Sequence, residues 1–142
     1  MSEKADKLWG TFVWNMFDFA IDSRNEGGIP GRNDKGLVTY DRKIKKDAFY
    51  LYKSYWSGES VLYITSRRFK KREKKHVSVK IYSNEEEITL YVNGVRIGQK
   101  CASKTRQQHI FIFKGVKLRR GENEIKAVSD SGLKDTVFWK YR

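Results

Sequence analysis

The hydrophobic pattern changes along the chain, and its first part is dominated by one nearly continuous apolar run at residues 8–20. A run that is rich in β-formers and does not alternate predicts a strand buried on both faces, as in a parallel sheet covered by helices. Residues 21–35 hold three glycines and the only proline, which predicts a long polar loop. A helix is predicted next, with Asp41 as its candidate N-cap. Its apolar positions are Ile44, Ala48, Leu51, Tyr52 and Tyr55.

After Gly58 the period of the pattern becomes two, and turn residues recur at short intervals up to the C-terminus. Such alternation predicts strands with one buried face. Asn93-Gly94 predicts a tight hairpin, because a type I′ turn needs positive φ at both central residues. Further turns are predicted at 120–123 and 130–132. The predicted strands are 61–65, 77–82, 87–92, 95–98, 109–114, 123–129 and 134–140.

The fold class that follows is mainly β, with seven short strands that favour an immunoglobulin-like antiparallel β-sandwich. We predict two domains, an incomplete strand-loop-helix unit at 1–58 and the sandwich at 59–142. One parallel-type strand and one helix cannot cover both faces of that strand or satisfy its hydrogen bonds. The missing neighbours are therefore expected from another chain, from the sandwich or from upstream sequence.

The amino-acid composition mainly excludes classes of protein and kinds of site. The 142 residues are 39% hydrophobic and 14% aromatic, so a packed core is expected. No apolar stretch approaches the roughly 20 residues of a membrane span, and the polar start lacks a signal-peptide pattern, which leaves the localisation unassigned. The single cysteine, Cys101, with His76 and His109 gives no spaced set of zinc ligands. Neither a metal nor a cofactor is predicted.

The net charge of +13 resides in the second part of the chain. Residues 1–58 hold ten basic and eight acidic side chains, whereas residues 59–142 hold twenty and nine. Seven of these basic residues lie in the run at 67–75, around Phe69. The run could track phosphates, but a charge run between two strands is more often a solvated hairpin. Nucleic-acid binding is not favoured, because only one aromatic residue interrupts the run.

Trp14 and Asp18 in the apolar run could bind a sugar. An indole face suits the apolar face of a sugar ring, a carboxylate reaches its hydroxyls, and the C-terminal ends of barrel strands carry active sites. The alternative is that Trp14 and Phe17 are core residues and that Asp18 caps the following loop.

The segment Asn33-Asp34-Lys35-Gly36 is the second candidate. Its amide and its cation beside flexible glycines could hold an anionic or hydroxyl-rich ligand. The same composition is also that of an ordinary turn, so both interpretations stay open.

Carboxylates that could hydrolyse a glycoside are not paired in the sequence. A retaining glycosidase needs two carboxyl groups about 5–5.5 Å apart. Glu26 is isolated in the predicted loop, residues 85–87 lie in a hairpin, and Glu122 and Glu124 flank a turn. Both histidines lie in the second part, which gives no Ser-His-Asp order. No catalytic residue is predicted in this chain.

Three segments of the first part carry a resemblance to a known family. They are WGTFVWNMFDF at 9–19, NDKGLVTYDRK at 33–43 and KDAFYLYK at 46–53. Together they resemble the end of the catalytic barrel of glycoside hydrolase family 2, the β-galactosidase and β-glucuronidase family, where they would be the eighth strand, its loop and the closing helix. The segments EITLYVNG at 87–94 and RGENEI at 120–125 are similar to the immunoglobulin-like domain that follows the barrel in many such β-galactosidases.

The resemblance implies roles for three residues. Trp14 matches the family tryptophan that lines the subsite for the terminal sugar, and Lys35 falls where the loop reaches the C6 end of that sugar. Asn33 and Lys35 fit the Asn-x-Lys pattern with which β-glucuronidases hold a sugar carboxylate, although related β-galactosidases share Asn-Asp-Lys-Gly. The family's catalytic glutamates lie on earlier barrel strands, upstream of the residues present here. The chain is therefore not expected to hydrolyse a glycoside by itself.

The leading functional hypothesis is the C-terminal part of a retaining exo-β-glycosidase, β-galactosidase-like, with Trp14, Asn33 and Lys35 binding substrate. The expected partners are a β-linked oligosaccharide in the full-length parent and the missing upstream barrel segment or a second chain. A periplasmic or secreted bacterial parent is compatible with the resemblance. The alternative is a non-catalytic basic sandwich module that binds an anionic polymer or a protein partner.

Overall fold

The computed structural model describes residues 10–142, which fall into two compact units. The first unit ends at Lys46, and the second comprises Asp47–Arg142. The first contains β1 (Phe19–Glu26) and β2 (Ile29–Asn33). The second contains α1 (Asp47–Trp56), β3 (Leu62–Ile64), β4 (Lys71–Arg72), β5 (His76–Ser83), β6 (Glu87–Val92), β7 (Val95–Cys101), a 3₁₀ turn (Ala102–Lys104), β8 (Ile110–Lys117), β9 (Gly121–Ser129) and β10 (Lys134–Tyr141).

The second unit is built on two packed sheets, which confirms the predicted antiparallel sandwich. One sheet has the strand order β4-β10-β9-β6-β7, and the other has the order β3-β5-β8. Neighbouring strands are antiparallel except β4, which runs parallel to the end of β10. All seven strands predicted after Gly58 are present, with ends that shift by a few residues.

The core lies between the two sheets and follows the period-two pattern. In β6 and from Asn123 onward in β9 every second residue is buried, so the two strands turn their charged residues outward. Each large side chain buried in this way contributes roughly 1.5–3 kcal/mol relative to an exposed one. The second unit therefore has a hydrophobic core of its own. It consists of Ile64, Val79, Ile81, Ile88, Leu90, Val92, Phe111, Phe113, Val116, Leu118, Ile125, Ala127, Val137 and Trp139.

The predicted Asn93-Gly94 hairpin is confirmed, with φ of 51° and 80° at its two central residues. The Asn93 side chain also reaches the beginning of β9, because its Nδ2 donates to Asn123 Oδ1 at 3.1 Å. Asn123 is fully buried and in addition accepts from the Arg119 amide at 2.9 Å and donates to the Gly121 carbonyl at 3.0 Å. Two turns that are distant in sequence are thus held together by amide side chains.

The helix begins six residues later than the candidate N-cap, and the assignment of Asp41 to that role is wrong. The Asp41 carboxylate instead accepts a hydrogen bond from Thr39 Oγ1 at 2.6 Å and from the Lys43 amide at 3.2 Å. The hydroxyl of Thr39 thereby holds the pKa of Asp41 below its usual range. An aspartate that closes its own local turn competes with helix capping, which explains the difference.

The helix belongs to the second unit. The Tyr50 ring stacks on Tyr63 with centroids 3.7 Å apart, and the Asp47 carboxylate accepts from Tyr63 Oη at 2.9 Å and from the Ser66 amide at 2.7 Å. These contacts tie α1 to the sandwich. The boundary between the units therefore lies after Lys46, whereas the sequence pattern placed it at residue 58.

The apolar run differs from the predicted buried strand. Residues 10–18 form a single bridge, Phe17 to Val38, and no longer ladder, while residues 8 and 9 lie outside the described part. Phe12 is 85% exposed and Trp14 is 73% exposed, so the predicted burial of these two side chains is wrong. A strand needs a ladder partner and covering layers, and within the described part of the chain this backbone pairs with the short stretch at 37–38 alone.

The predicted polar loop is also wrong in part, because β1 and β2 form an antiparallel hairpin there. Phe19 lies opposite Asn33, and Glu26 lies opposite Ile29 next to the Gly27-Gly28 turn. The ladder is irregular in between. The hairpin has no continuous apolar face, so the alternation that marks strands is missing from its sequence.

The basic run at 67–75 is more ordered than a solvated hairpin. β4 extends the larger sheet, and the Arg72 guanidinium lies 3.7 Å from the ring centroid of buried Trp139. Arg67 forms an ion pair with Asp135 and lies 4.3 Å from the ring centroid of Tyr63. Two arginines of the run therefore stabilise the fold, whereas its lysines are exposed.

Candidate functional site

The three residues to which the resemblance assigns substrate binding all lie in the first unit. Asn33 ends β2, Lys35 lies in the turn that follows, and Trp14 lies in the segment that precedes β1. The geometry of this unit therefore decides whether they form one site.

Asn33 and Lys35 are joined directly. The Lys35 backbone amide donates to Asn33 Oδ1 at 3.0 Å, which is the hydrogen bond that defines an Asx turn. Asn33 is only 4% exposed, and among residues 10–142 its Nδ2 donates to no other group. The turn thus fixes the amide by its oxygen and leaves its two N–H groups for a ligand.

The Lys35 ammonium is held loosely. Its Nζ lies 3.6 Å from Glu26 Oε1, and the lysine side chain is 53% exposed. Glu26 is itself fixed, because its Oε2 accepts from the Asp34 amide at 2.9 Å. An ion pair this exposed is worth about 0–1 kcal/mol, so another anion can compete with Glu26 for the lysine.

Gly36 fixes the turn against the segment that carries Trp14. Its amide donates to Asp18 Oδ1 at 2.9 Å. A Cβ at this position would lie 2.2 Å from the backbone atoms Asp18 N and Phe17 C. Only glycine permits this approach of the two chain segments.

A buried ion pair completes the support of the turn. Asp18 is 3% exposed and accepts from Lys46 Nζ at 2.6 Å. The same Nζ donates to the Asp34 carbonyl at 2.8 Å, so one ammonium links both segments. A buried carboxylate needs such a partner, which makes the pair structural. The interpretation of Asp18 as the residue that caps the loop is therefore confirmed.

The Asp34 side chain contacts Arg32 rather than Lys35 or Asn33. Arg32 Nη2 donates to Asp34 Oδ2 at 2.8 Å, and Nε lies 2.5 Å from Oδ1. This fork holds the pKa of the Asp34 carboxyl below its usual range and raises the pKa of the Arg32 guanidinium. The aspartate is thus a charged, fixed support and is not a candidate proton donor.

Trp14 presents its indole to solvent. Among residues 10–142 its ring makes an edge-to-face contact with Phe19, at a centroid distance of 6.1 Å, and its peptide bond to Asn15 is cis. With 73% exposure it is not a core residue of this unit, and Phe17 at 38% is not one either. Phe19 lies opposite Asn33 in the hairpin ladder, which connects the tryptophan to the turn through one intermediate residue.

The structure therefore brings Asn33 and Lys35 into contact and connects Trp14 to them through Phe19. Residues 33–36 do form a turn. That this turn binds a ligand stays a prediction. The sequence pattern did not single out Lys46, which appears there only as the first residue of the segment KDAFYLYK. The signal that could have found it is the need of a buried carboxylate for a cation.

Within residues 10–142, no three metal-ligating side chains lie close enough to hold an ion. A helix with the length and apolar content needed to cross a bilayer is also absent from that part of the chain. The site consists of an amide, a cation and an indole, which together suit a polar ligand with one apolar face.

Comparison with known proteins gives relatives along most of the chain. Residues 74–134 match a family described as "Domain of unknown function (DUF4982)". A β-glucuronidase of Bacteroides fragilis is 42% identical over 138 residues, which are 95% of this chain and 19% of that protein. A β-galactosidase of Bacteroides ovatus is 29% identical over 96 residues, which are 67% of this chain and 11% of that protein.

A solved structure is equally similar. The FMN-binding β-glucuronidase of Faecalibacterium prausnitzii L2-6 superposes with a TM-score of 0.86 at 42% identity, over 94% of this chain and 20% of that protein. The chain thus spans about a fifth or less of the length of these relatives.

Proposed function

Because this chain belongs to glycoside hydrolase family 2, we propose that it forms one wall of the sugar subsite in a retaining exo-β-glycosidase. The two catalytic glutamates are supplied by other sequence. Two carboxylates of the first unit, Asp18 and Asp34, are occupied by Lys46 and Arg32. A group fixed in this way is a poor nucleophile or proton donor. The chain accordingly contributes binding and not the reacting groups.

The observation that carries this proposal is the Asn33–Lys35 turn. Its Asn33 amide donates to no group of residues 10–142, and two positions later it carries a half-exposed ammonium, on a backbone held by Gly36 and Lys46. The Asn33 amide is fixed by the turn and can orient a substrate without rearrangement, whereas the Lys35 ammonium exchanges Glu26 for the ligand. The turn is therefore built to hold one end of a polar ring.

We propose a β-glucuronide as the substrate in preference to a β-galactoside. A carboxylate at the C6 end would pair with the Lys35 ammonium and accept from Asn33 Nδ2, and both groups lie on the same turn. A charge-assisted contact is roughly twice as strong as a neutral one. The loose pair between Lys35 and Glu26 leaves the ammonium available for such an exchange. The relatives named β-glucuronidase in Bacteroides fragilis and Faecalibacterium prausnitzii support the same choice.

Trp14 has the complementary role. Its exposed indole offers an apolar surface on which a sugar ring packs, while the polar turn takes the hydroxyl and carboxylate groups. Aromatic rings with one exposed face are suited to amphipathic ligands of this kind. The proposal assigns Trp14 to the ring face and Lys35 to the C6 end.

The test uses the enzyme that contains this chain together with the catalytic glutamates. We expect Lys35→Ala to lower kcat/KM for a chromogenic β-glucuronide about 100-fold and for the β-galactoside no more than about fivefold. An unpaired, desolvated charge costs several kcal/mol, whereas a neutral hydrogen bond is worth about 1 kcal/mol. Trp14→Ala should lower both, because ring packing does not depend on the C6 group.

Lys43→Ala is the matched control, since Lys43 is an exposed lysine of the same unit outside the turn. It should leave both substrates unaffected. The 142-residue chain alone should show no turnover of either substrate. Unchanged kinetics of Lys35→Ala with both substrates would refute the role of the turn in binding. Turnover by the isolated chain would refute the proposal that the catalytic groups are supplied by other sequence.

A further inference from the structure

A groove with a volume of about 600 Å³ lies on the second unit, far along the chain from the turn at 33–36. It runs beside β7 and β8, which are the outer strands of the two different sheets. The 3₁₀ turn Ala102–Lys104 and the loop after it form one end. The groove is therefore open at two strand edges rather than enclosed in the core.

The charges along this groove have one sign. Lys100, Lys104, Arg106 and Lys114 line it, and no carboxylate does. None of these four cations forms an ion pair with any part of the chain that the structure describes. Glu87 is the acidic residue of β6 on this side, and it accepts from Gln99 and Cys101. The four lining cations outnumber this one neighbouring carboxylate, so the groove keeps a net positive charge for an external anion.

The floor of the groove is aliphatic. Ile110 and Ile112 of β8 line it, and Ile112 is 36% exposed, whereas Phe111 between them is fully buried in the core. Gln107 adds an amide. The lining contains no aromatic side chain, so it offers no platform on which nucleic-acid bases could stack.

We propose that this groove binds a strand of carboxylated polysaccharide. The carboxylates would pair with the four cations, the apolar faces of the sugar rings would lie on the isoleucines, and the amide would contact hydroxyls. Lysines on edge strands also discourage pairing between sheets of different molecules. That role alone does not require Lys104, which lies on the 3₁₀ turn, or Arg106, which lies on the loop after it.

The test measures binding of the 142-residue chain to polygalacturonate by titration calorimetry, with neutral dextran and single-stranded DNA as comparison ligands. The groove variant changes four cations to glutamine, at Lys100, Lys104, Arg106 and Lys114. The matched control changes four exposed lysines of the basic run, Lys70, Lys71, Lys74 and Lys75, and so removes the same charge. Arg106→Gln alone, on an exposed loop, serves as a second variant if the fourfold change lowers the Tm.

We expect polygalacturonate to bind and dextran not to bind, with affinity reduced about tenfold or more in the groove variant and much less in the control. The slope of log Kd against log salt concentration should fall by about 3, since each neutralised charge of a flexible polyanion contributes about 0.7. Absence of binding, equal losses in both variants, or DNA that binds as tightly and depends on the same four residues would overturn the proposal. None of these results bears on the sugar subsite, because no turnover is measured.

Discussion

Replacing Gly36 by alanine should release the turn that presents Asn33 and Lys35. The added Cβ would lie 2.2 Å from two backbone atoms, Asp18 N and Phe17 C, which cannot move as a side chain can. Forcing extra atoms into a packed site costs typically 1–3 kcal/mol, and the bond from Gly36 to Asp18 adds about 1 kcal/mol if it is lost. We therefore expect local destabilisation by about 2 kcal/mol or more.

Amide hydrogen exchange measures this directly. The amides of Leu37 and Val38 donate to Asn15 and Met16 at 2.9 Å, and they should exchange about thirtyfold faster in Gly36→Ala. Gly58→Ala is the control, since a Cβ there meets nothing within 4 Å. Core amides of the sandwich should keep their rates in both variants. Equal protection of the two reporter amides in Gly36→Ala and wild type would show that the close approach is not what holds the turn.

Two further predictions concern polar groups that hold turns. Asn123→Ala should lower the free energy of unfolding of the sandwich by about 2–4 kcal/mol in urea titrations. The reason is that the change leaves the Asn93 amide and buried main-chain groups without their partner. A loss of less than about 0.5 kcal/mol would contradict this prediction. Arg32 lowers the pKa of the Asp34 carboxyl in the folded state. The contribution of this ion pair to the stability of the folded turn is therefore complete above the unfolded pKa of about 4, and it is lost as the pH falls through the folded pKa. The protection factors of amides in the 33–38 segment, which correct for the intrinsic pH dependence of exchange, should therefore fall below pH 4 in wild type, and this fall should be absent in Asp34→Asn.

The sandwich could be predicted from sequence because its strands encode their own burial. The alternation in β6 and β9 assigns each side chain to one face, and Asn93-Gly94 fixes the register between β6 and β7. These are short-range signals that do not depend on the rest of the chain. What the pattern could not give is β4, because a two-residue strand pairs through the main chain and carries no period.

The first unit was harder to predict because its structure depends on polar contacts between distant residues. Asp18 and Lys46 are 28 positions apart, and nothing in the hydrophobic pattern joins them. The hairpin of β1 and β2 has polar residues on both faces, so it resembles a loop in sequence. The candidate residues Trp14, Asn33 and Lys35 came from the family resemblance rather than from periodicity.

The exposed apolar side chains of the first unit support the proposal that this unit binds substrate and that other sequence supplies the catalytic groups. Phe12, Trp14 and Met16 are respectively 85%, 73% and 49% exposed within one five-residue stretch. Exposed apolar side chains that are grouped in this way often serve an interface or a ligand. The polar turn beside it is by contrast fully supported from within, through Gly36 and Lys46. The proposed subsite accordingly combines a turn that the unit itself holds in place with exposed apolar side chains that are suited to contact a ligand.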